Sequence, residues 1–301
     1  MIAKVVNLEK NYILSPYLHG LTNRVLSYLQ SGFSVHLIGP PGTGKTSLAL
    51  HIAKQMERPF VLLHGNHEMS NMDLLGSFNG FSNKKIIDNY IHSVYKKEET
   101  IKETWINGHL IEAATKGFTL IYDEFNRSHP ETNTLFLSIL EERIIPLYGM
   151  KKKESFLPVH PNFCAIFISN PKEYVGVFDA QDALLDRLIT IQLEEMDMKT
   201  ECAILSQRTG ISEMDSLYIV KLVQILRNQF STSHPLSLRA SIKLATIAKQ
   251  NNIPITIQNQ EFQEICVDIF WLLLTESGQV QTISQARRLI VKTIEQHLEG
   301  N

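Results

Sequence analysis

Several stretches of the chain hold residues whose types and spacing can do phosphate chemistry, and they meet four requirements. The first stretch is GPPGTGKTS, residues 39–47. It satisfies the pattern G-x-x-x-x-G-K-[ST] through Gly39, Gly44, Lys45 and Thr46. The small residues Gly39, Pro40, Pro41, Gly42, Thr43 and Gly44 let backbone N–H groups turn inward around a phosphate. The helix that opens at Lys45, with Thr46 and Ser47 in its first turn, aims its positive end at the same charge. Lys45 is then the cation for the β- and γ-phosphates, and the Thr46 hydroxyl is a ligand for Mg²⁺. The second stretch, FTLIYDE, is an apolar run ending in Asp123 and Glu124. A phosphate loop needs a partner strand whose carboxylate holds Mg²⁺, which suits Asp123. It also needs a group that orients and activates water, which suits Glu124. The third, FISNP, ends another apolar run in Asn170, whose amide can bond a γ-phosphate or the attacking water. The fourth requirement is a cation for the charge that develops in transfer. Arg187 in LLDRLITI, Arg239 in LSLRAS and Arg143 in LEER are the candidates.

These residues need a scaffold. The runs 34–39, 59–65, 118–123, 163–170 and 187–193 are short and apolar, lack clean polar alternation, and alternate with helical segments such as 17–30, 45–56 and 130–143. That pattern predicts an α/β fold, with a parallel sheet covered on both faces. In such a sheet Asp123 and Asn170 open at the same edge as the phosphate loop. Two spans break the alternation. An insertion occupies about 66–117, including the glycine-punctuated DLLGSFNGFSN with Phe78 and Phe81. A β-hairpin is expected over about 144–160, with Lys151–Lys153 at its tip. After about 198 the strands stop, and 199–301 reads as a small all-helical domain.

The bulk numbers exclude several classes. A net charge of −2 gives no global reason to bind a polyanion. The three cysteines lie far apart with no CxxC pair, which suits neither a zinc site nor a disulfide framework. His64 and His67 have no further ligand pattern near them. MIAKVVNLEKNYILS carries charges inside its apolar stretch, unlike a secretory signal. ICVDIFWLLLT is interrupted by Asp268 and is too short to span a bilayer. The expectation is a cytoplasmic protein that binds neither membrane nor nucleic acid.

In this order, the motifs resemble those of the AAA+ P-loop ATPases. DLLG, DEFNR and LEER resemble the MoxR-type branch. In finer detail DNYIHSVYKKEE, GFTLIYDEFNRSHPETN, LSILEERIIPLYG and SNPKEYVGVFDAQDALLDR are similar to the gas vesicle protein N family, GvpN, over about residues 10–250. The resemblance implies a five-stranded parallel sheet sandwiched by helices in an ATPase domain of residues 1–198, and a helical lid from 199 to 301. It implies ATP and Mg²⁺ as ligands, with Gly39 to Thr46 as Walker A, Asp123 and Glu124 as Walker B, and Asn170 as sensor 1. Arg187 corresponds to the arginine finger and Arg239 to sensor 2. Leu238 stands where MoxR-type proteins usually carry proline, a departure at that motif. Further implications are a homo-hexameric ring and gas vesicle shell or accessory proteins as partners. The rival readings are a nucleic-acid motor, a nucleotide-binding shell component, and a MoxR-type chaperone that activates a metalloenzyme.

Overall fold

The computed structural model describes residues 12–87, 97–147, 155–171, 176–230 and 236–298, except 14, 257, 277 and 279. Lys151–Lys153 lie outside the described residues, as do the side chains of 78–104, Phe78 and Phe81 among them. In chain order, α1 (Pro16–Gln30) leads to β1 (Ser34–Ile38), α2 (Lys45–Gln55) and β2 (Phe60–His64). Then come α3 (Asn71–Leu75), β3 (Gly76–Ile87), β4 (Lys97–Asn107), α4 (His109–Lys116) and β5 (Thr119–Asp123). Next are α5 (Pro130–Asn133), α6 (Leu135–Leu137), β6 (Ile144–Pro146), β7 (Phe156–Pro158), β8 (Cys164–Ser169), α7 (Asp182–Asp186) and β9 (Leu188–Gln192). The remainder is helical: α8 (Met198–Thr209), α9 (Glu213–Gln229), α10 (Leu238–Gln250), α11 (Gln260–Glu276) and α12 (Ile283–Leu298).

The five apolar runs form one sheet in the order β2-β5-β8-β1-β9. β2 with β5, β5 with β8, and β8 with β1 pair in parallel, in registers such as Leu62↔Ile121, Tyr122↔Phe167 and His36↔Phe167. β5 and β8 are buried at every position. That is why they read as continuous apolar runs rather than as alternation. Their side chains meet a core that includes Tyr122, Phe125, Phe136 and Phe167.

The chain divides into two compact units. One holds Thr22–Ile38 and Thr46–Ile191, hence the bulk of the sheet. The other gathers Gly39–Lys45 with the chain from Gln192 on. The reason is visible at Gly42, where an added Cβ would lie 2.3 Å from the Ser237 Cβ, at φ +85°. Only glycine allows that approach in that conformation. The helices of this second unit share a core of Leu226, Leu244, Phe262, Phe270 and Ile290. Their starts are capped by side chains: Asp197 accepts from Thr200 N, and Ser212 from Asp215 N.

One local outcome differs from expectation. The expected single helix over 130–143 is broken into α5, α6 and a π-helical turn at Ser138–Glu142 that ends on Arg143 at φ +57°. Asn133 turns its amide to the Phe125 carbonyl at 3.1 Å, tying this segment to the turn after β5. The span 66–117 carries a long antiparallel ribbon of β3 and β4, closed at its base by Gly76↔Asn107. β6 and β7 pair antiparallel. Among the described residues no helix is long and apolar enough to cross a membrane.

Candidate functional site

Within the sheet unit, β5 delivers Asp123 to the strand end, where it is 7% exposed. Thr46, one residue into α2, donates its hydroxyl to Asp123 Oδ2 at 2.8 Å. The other carboxylate oxygen accepts the Glu124 N–H at 3.0 Å. His64, at the end of the neighbouring β2, places Nδ1 3.9 Å from Asp123 Oδ2. The expected hydroxyl and carboxylate therefore meet directly.

Glu124 adopts a left-handed conformation, φ 53° and ψ 36°. Such a conformation persists in a non-glycine residue only when its surroundings over-determine it. Here Gly65 N donates to the Asp123 carbonyl at 2.8 Å, and Arg127 N to the Glu124 carbonyl at 2.9 Å. A Cβ on Gly65 would fall 2.2 Å from the Glu124 oxygen, so glycine is required beneath the turn. Tyr122 donates its hydroxyl to Ser128 at 2.8 Å, closing the turn from behind. Burial raises the Tyr122 pKa to about 12, against the Ser128 bond, so the phenol stays a donor. The Glu124 carboxylate is half exposed and lies 3.2 Å from Arg127 Nε. A pair this exposed contributes about 0.2–1 kcal/mol, so the carboxylate is loosely held. Asn170 follows β8 directly, and its carbonyl accepts from Asn126 Nδ2 at 3.2 Å.

The three candidate arginines stand in different circumstances. Arg187 ends α7 and reaches Glu141 through Nε at 2.8 Å and through Nη2. Arg143 gives its guanidinium to backbone carbonyls: His160 at 2.9 Å, Pro161 at 3.1 Å and Phe163 at 3.4 Å. Burial draws the Arg143 pKa down. Its donors are thus used to fasten the chain after β7 to the end of the π turn. Arg239 is exposed in the first turn of α10, behind the Ser237 cap.

In the second unit, Lys45 is 7% exposed and donates Nζ to the carbonyls of Gly39 at 2.7 Å and Pro40 at 2.8 Å. Thr43 donates its hydroxyl to Pro40 O at 3.0 Å. A shallow, open cleft lies against Pro41 and Thr43 of this loop. Met196 and Leu236 give it apolar walls, and Glu201 and Arg227 a polar one. Arg227 pairs with Glu195 at 2.8 Å and with the buried Glu201 at 3.3 Å. Burial raises the Glu201 pKa against the lowering effect of Arg227. Sequence reasoning missed this trio, because 26 residues separate Glu201 from Arg227 and no local spacing marks them.

The donor chemistry fits magnesium. Thr46 and Asp123 offer hard oxygens, and Mg²⁺ takes one or two protein oxygens beside substrate phosphates and water. Among the described residues there is no cluster of three or more His, Cys, Asp or Glu side chains that could hold a metal. Such a cluster is not what this ion requires.

The family model of the AAA domain, dynein-related subfamily, matches residues 34–188. The gas vesicle ATPase GvpN of Ancylobacter aquaticus is 38% identical over 280 residues, covering 93% of this chain and 78% of that protein. The chain belongs to the GvpN family of gas vesicle ATPases. Another member, GvpN of Haloferax mediterranei, is 31% identical over 288 residues, covering 95% of this chain and 82% of its own. Family membership thus extends well past the AAA domain match, into the helices after β9. The fold is also that of the Thermotoga maritima RuvB Holliday junction branch migration motor, with a TM-score of 0.51 at 17% identity, covering 96% of this chain and 78% of that one.

Proposed function

We propose that the chain is a magnesium-dependent ATP hydrolase that drives gas vesicle assembly or growth by remodelling shell or accessory proteins. The observation that carries this reading is the 2.8 Å bond between Thr46 and Asp123, in a chain 38% identical to a gas vesicle ATPase. The loop Gly39–Thr46 wraps the phosphates with its N–H groups, and Lys45 exchanges its carbonyl partners for phosphate oxygens. Thr46 and Asp123 hold the magnesium, directly or through its water shell. Bound there, the ion offsets the charge of the phosphate oxygens.

Glu124 orients the attacking water and takes its proton. Asn170 bonds the water or the γ-phosphate. Arg187 leaves Glu141 and serves a neighbouring subunit's nucleotide in a homo-hexameric ring, where a cation supplied in trans stabilises the transferring phosphoryl group. Arg239 reads the nucleotide state from the lid. The cleft beside Pro41 and Thr43 receives the nucleoside end, between Met196 and Leu236. The clients are gas vesicle shell or accessory proteins, moved as each lid responds to hydrolysis. The protein works where gas vesicles are built, in the cytoplasm.

The test is a Glu124→Gln replacement in cells that make gas vesicles. Absence of vesicles, with normal levels of the variant, is the expected result. Vesicles of normal number and strength would overturn the requirement for hydrolysis.

A further inference from the structure

His36 is a buried ionisable group that the hydrolysis scheme does not use. It lies mid-way along β1 and is 3% exposed. Its ring reaches both flanking strands. Nε2 lies 2.8 Å from Ser169 Oγ on β8, and Nδ1 lies 3.2 Å from Thr190 Oγ1 on β9. A neutral imidazole carries one N–H and one bare nitrogen, and hydroxyls can serve either. Burial pushes the imidazole down to about 4, so the ring stays neutral and both bonds are satisfied near neutral pH.

The same ring meets Phe125 edge-on, with centroids 5.3 Å apart at 89°. Phe125 also packs edge-on against Phe167 of β8 at 5.3 Å. Phe125 is the residue after Glu124, and Ser169 is the residue before Asn170. Asn126 then bonds the Asn170 carbonyl. The contacts therefore close a circuit: His36 to Ser169, on to Asn170, across to Asn126 and Phe125, and back to His36.

We propose that His36 is a positioning residue. Through Ser169, Thr190 and Phe125 it fixes where Asn170 and Glu124 stand relative to each other, and so sets the rate of water attack without touching nucleotide. The inference rests on the hydrolase reading of this site. Its physical basis is the cost of breaking the circuit. Without the ring nitrogens, the buried Ser169 hydroxyl loses its partner and the end of β8 shifts to satisfy it, whereas the exposed Thr190 hydroxyl can turn to water. A shift of about 1 Å in reacting groups can cost on the order of 100-fold in rate.

The experiment compares purified His36→Phe, His36→Gln, Ser169→Ala and the His36→Phe/Ser169→Ala double variant. It measures kcat, KM and the affinity for a fluorescent ATP analogue. His36→Phe keeps an aromatic ring against Phe125 but loses both bonds. Its kcat should fall at least about ten-fold, with KM and affinity within about two-fold of wild type. His36→Gln, whose amide both donates and accepts, should recover most of the loss. The double variant should fall no further than the worse single one, since both break one circuit. An unchanged kcat in folded His36→Phe overturns the proposal. So does a parallel loss of kcat and affinity, or multiplicative effects in the double variant. Should His36→Phe fail to fold, Ser169→Ala decides by the same split of kcat from KM. Glu124→Gln, run beside them, separates the two levels. If it turns over normally, the hydrolase reading of the site fails. If it is inactive while His36→Phe is normal, only the positioning role fails.

Discussion

Protonating His36 should loosen the sheet unit over a definite pH window. The imidazole titrates near 6.5 in an unfolded chain and at about 4 in the fold, because burial penalises its charged form. The lowered value means that the folded state prefers the neutral ring. Stability is therefore complete above pH 6.5 and is lost as pH falls from there towards 4. Below 4 both states bind the proton and no further loss follows. At about 1.4 kcal/mol per pH unit, the full difference of roughly 2.5 units is worth about 3.5 kcal/mol. By pH 5 the unfolded state binds nearly one proton more than the fold, and between pH 7 and pH 5 about 2 kcal/mol should disappear. Urea unfolding measures it. Trp105 lies in the sheet unit and Trp271 in the other, so a Trp271→Phe background lets fluorescence follow the sheet unit. Other groups titrate in this range, so the decisive quantity is the difference between this background and the same protein with His36→Phe. The background should lose about 2 kcal/mol more than the variant from pH 7 to pH 5. Equal losses, within about 0.5 kcal/mol, would refute the burial argument for His36.

Gly65→Ala places a Cβ 2.2 Å from the Glu124 carbonyl, so the turn must move; steady-state kinetics should show kcat lowered at least about ten-fold, with nucleotide affinity within about three-fold. Arg143→Ala removes the donor for three carbonyls and should cost about 1–3 kcal/mol. Thermal unfolding should show that loss as a Tm several degrees lower, while turnover per folded molecule stays near wild type. Arg187→Ala should be inactive alone, yet restore some turnover when mixed with Lys45→Ala; no recovery at any ratio would count against a cation supplied in trans.

The sheet was legible because its strands are short apolar runs closed by polar or glycine residues, and β5 and β8 are buried on both faces. Thr46 and Asp123 were legible as candidate magnesium ligands because each sits where an apolar run meets a loop or helix start, but their direct bond was not anticipated. The ribbon of β3 and β4 was not legible. GSFNGFSNKKII and KEETIKETWIN are largely polar and carry no alternation that would announce a buried face. The break in 130–143 was hidden because apolar periodicity cannot distinguish a regular helix from one interrupted by side-chain bonds such as Asn133 to Phe125. His36 was missed because one histidine inside SVHLI reads as part of an apolar run. Its partners, Ser169 and Thr190, are 133 and 154 residues away, and only the strand order brings them to either side of it. In sequence Arg187 stands at the entrance to the last strand and Arg143 at the end of a helical segment, and neither position tells what the guanidinium touches. What separates them is the partner set: the Glu141 carboxylate and one carbonyl of its own helix for Arg187, and only backbone carbonyls from the chain after β7 for Arg143.

The central claim is that the Asp123–Glu124 edge activates water against ATP held by the Gly39–Thr46 loop. Steady-state ATP hydrolysis by the purified protein, wild type beside Glu124→Gln over a range of protein concentrations, tests it most directly. Turnover per subunit should rise with concentration in the wild type, as expected of a shared site. It should vanish in Glu124→Gln while that variant still binds ATP. Turnover near the wild-type rate in Glu124→Gln would contradict the account.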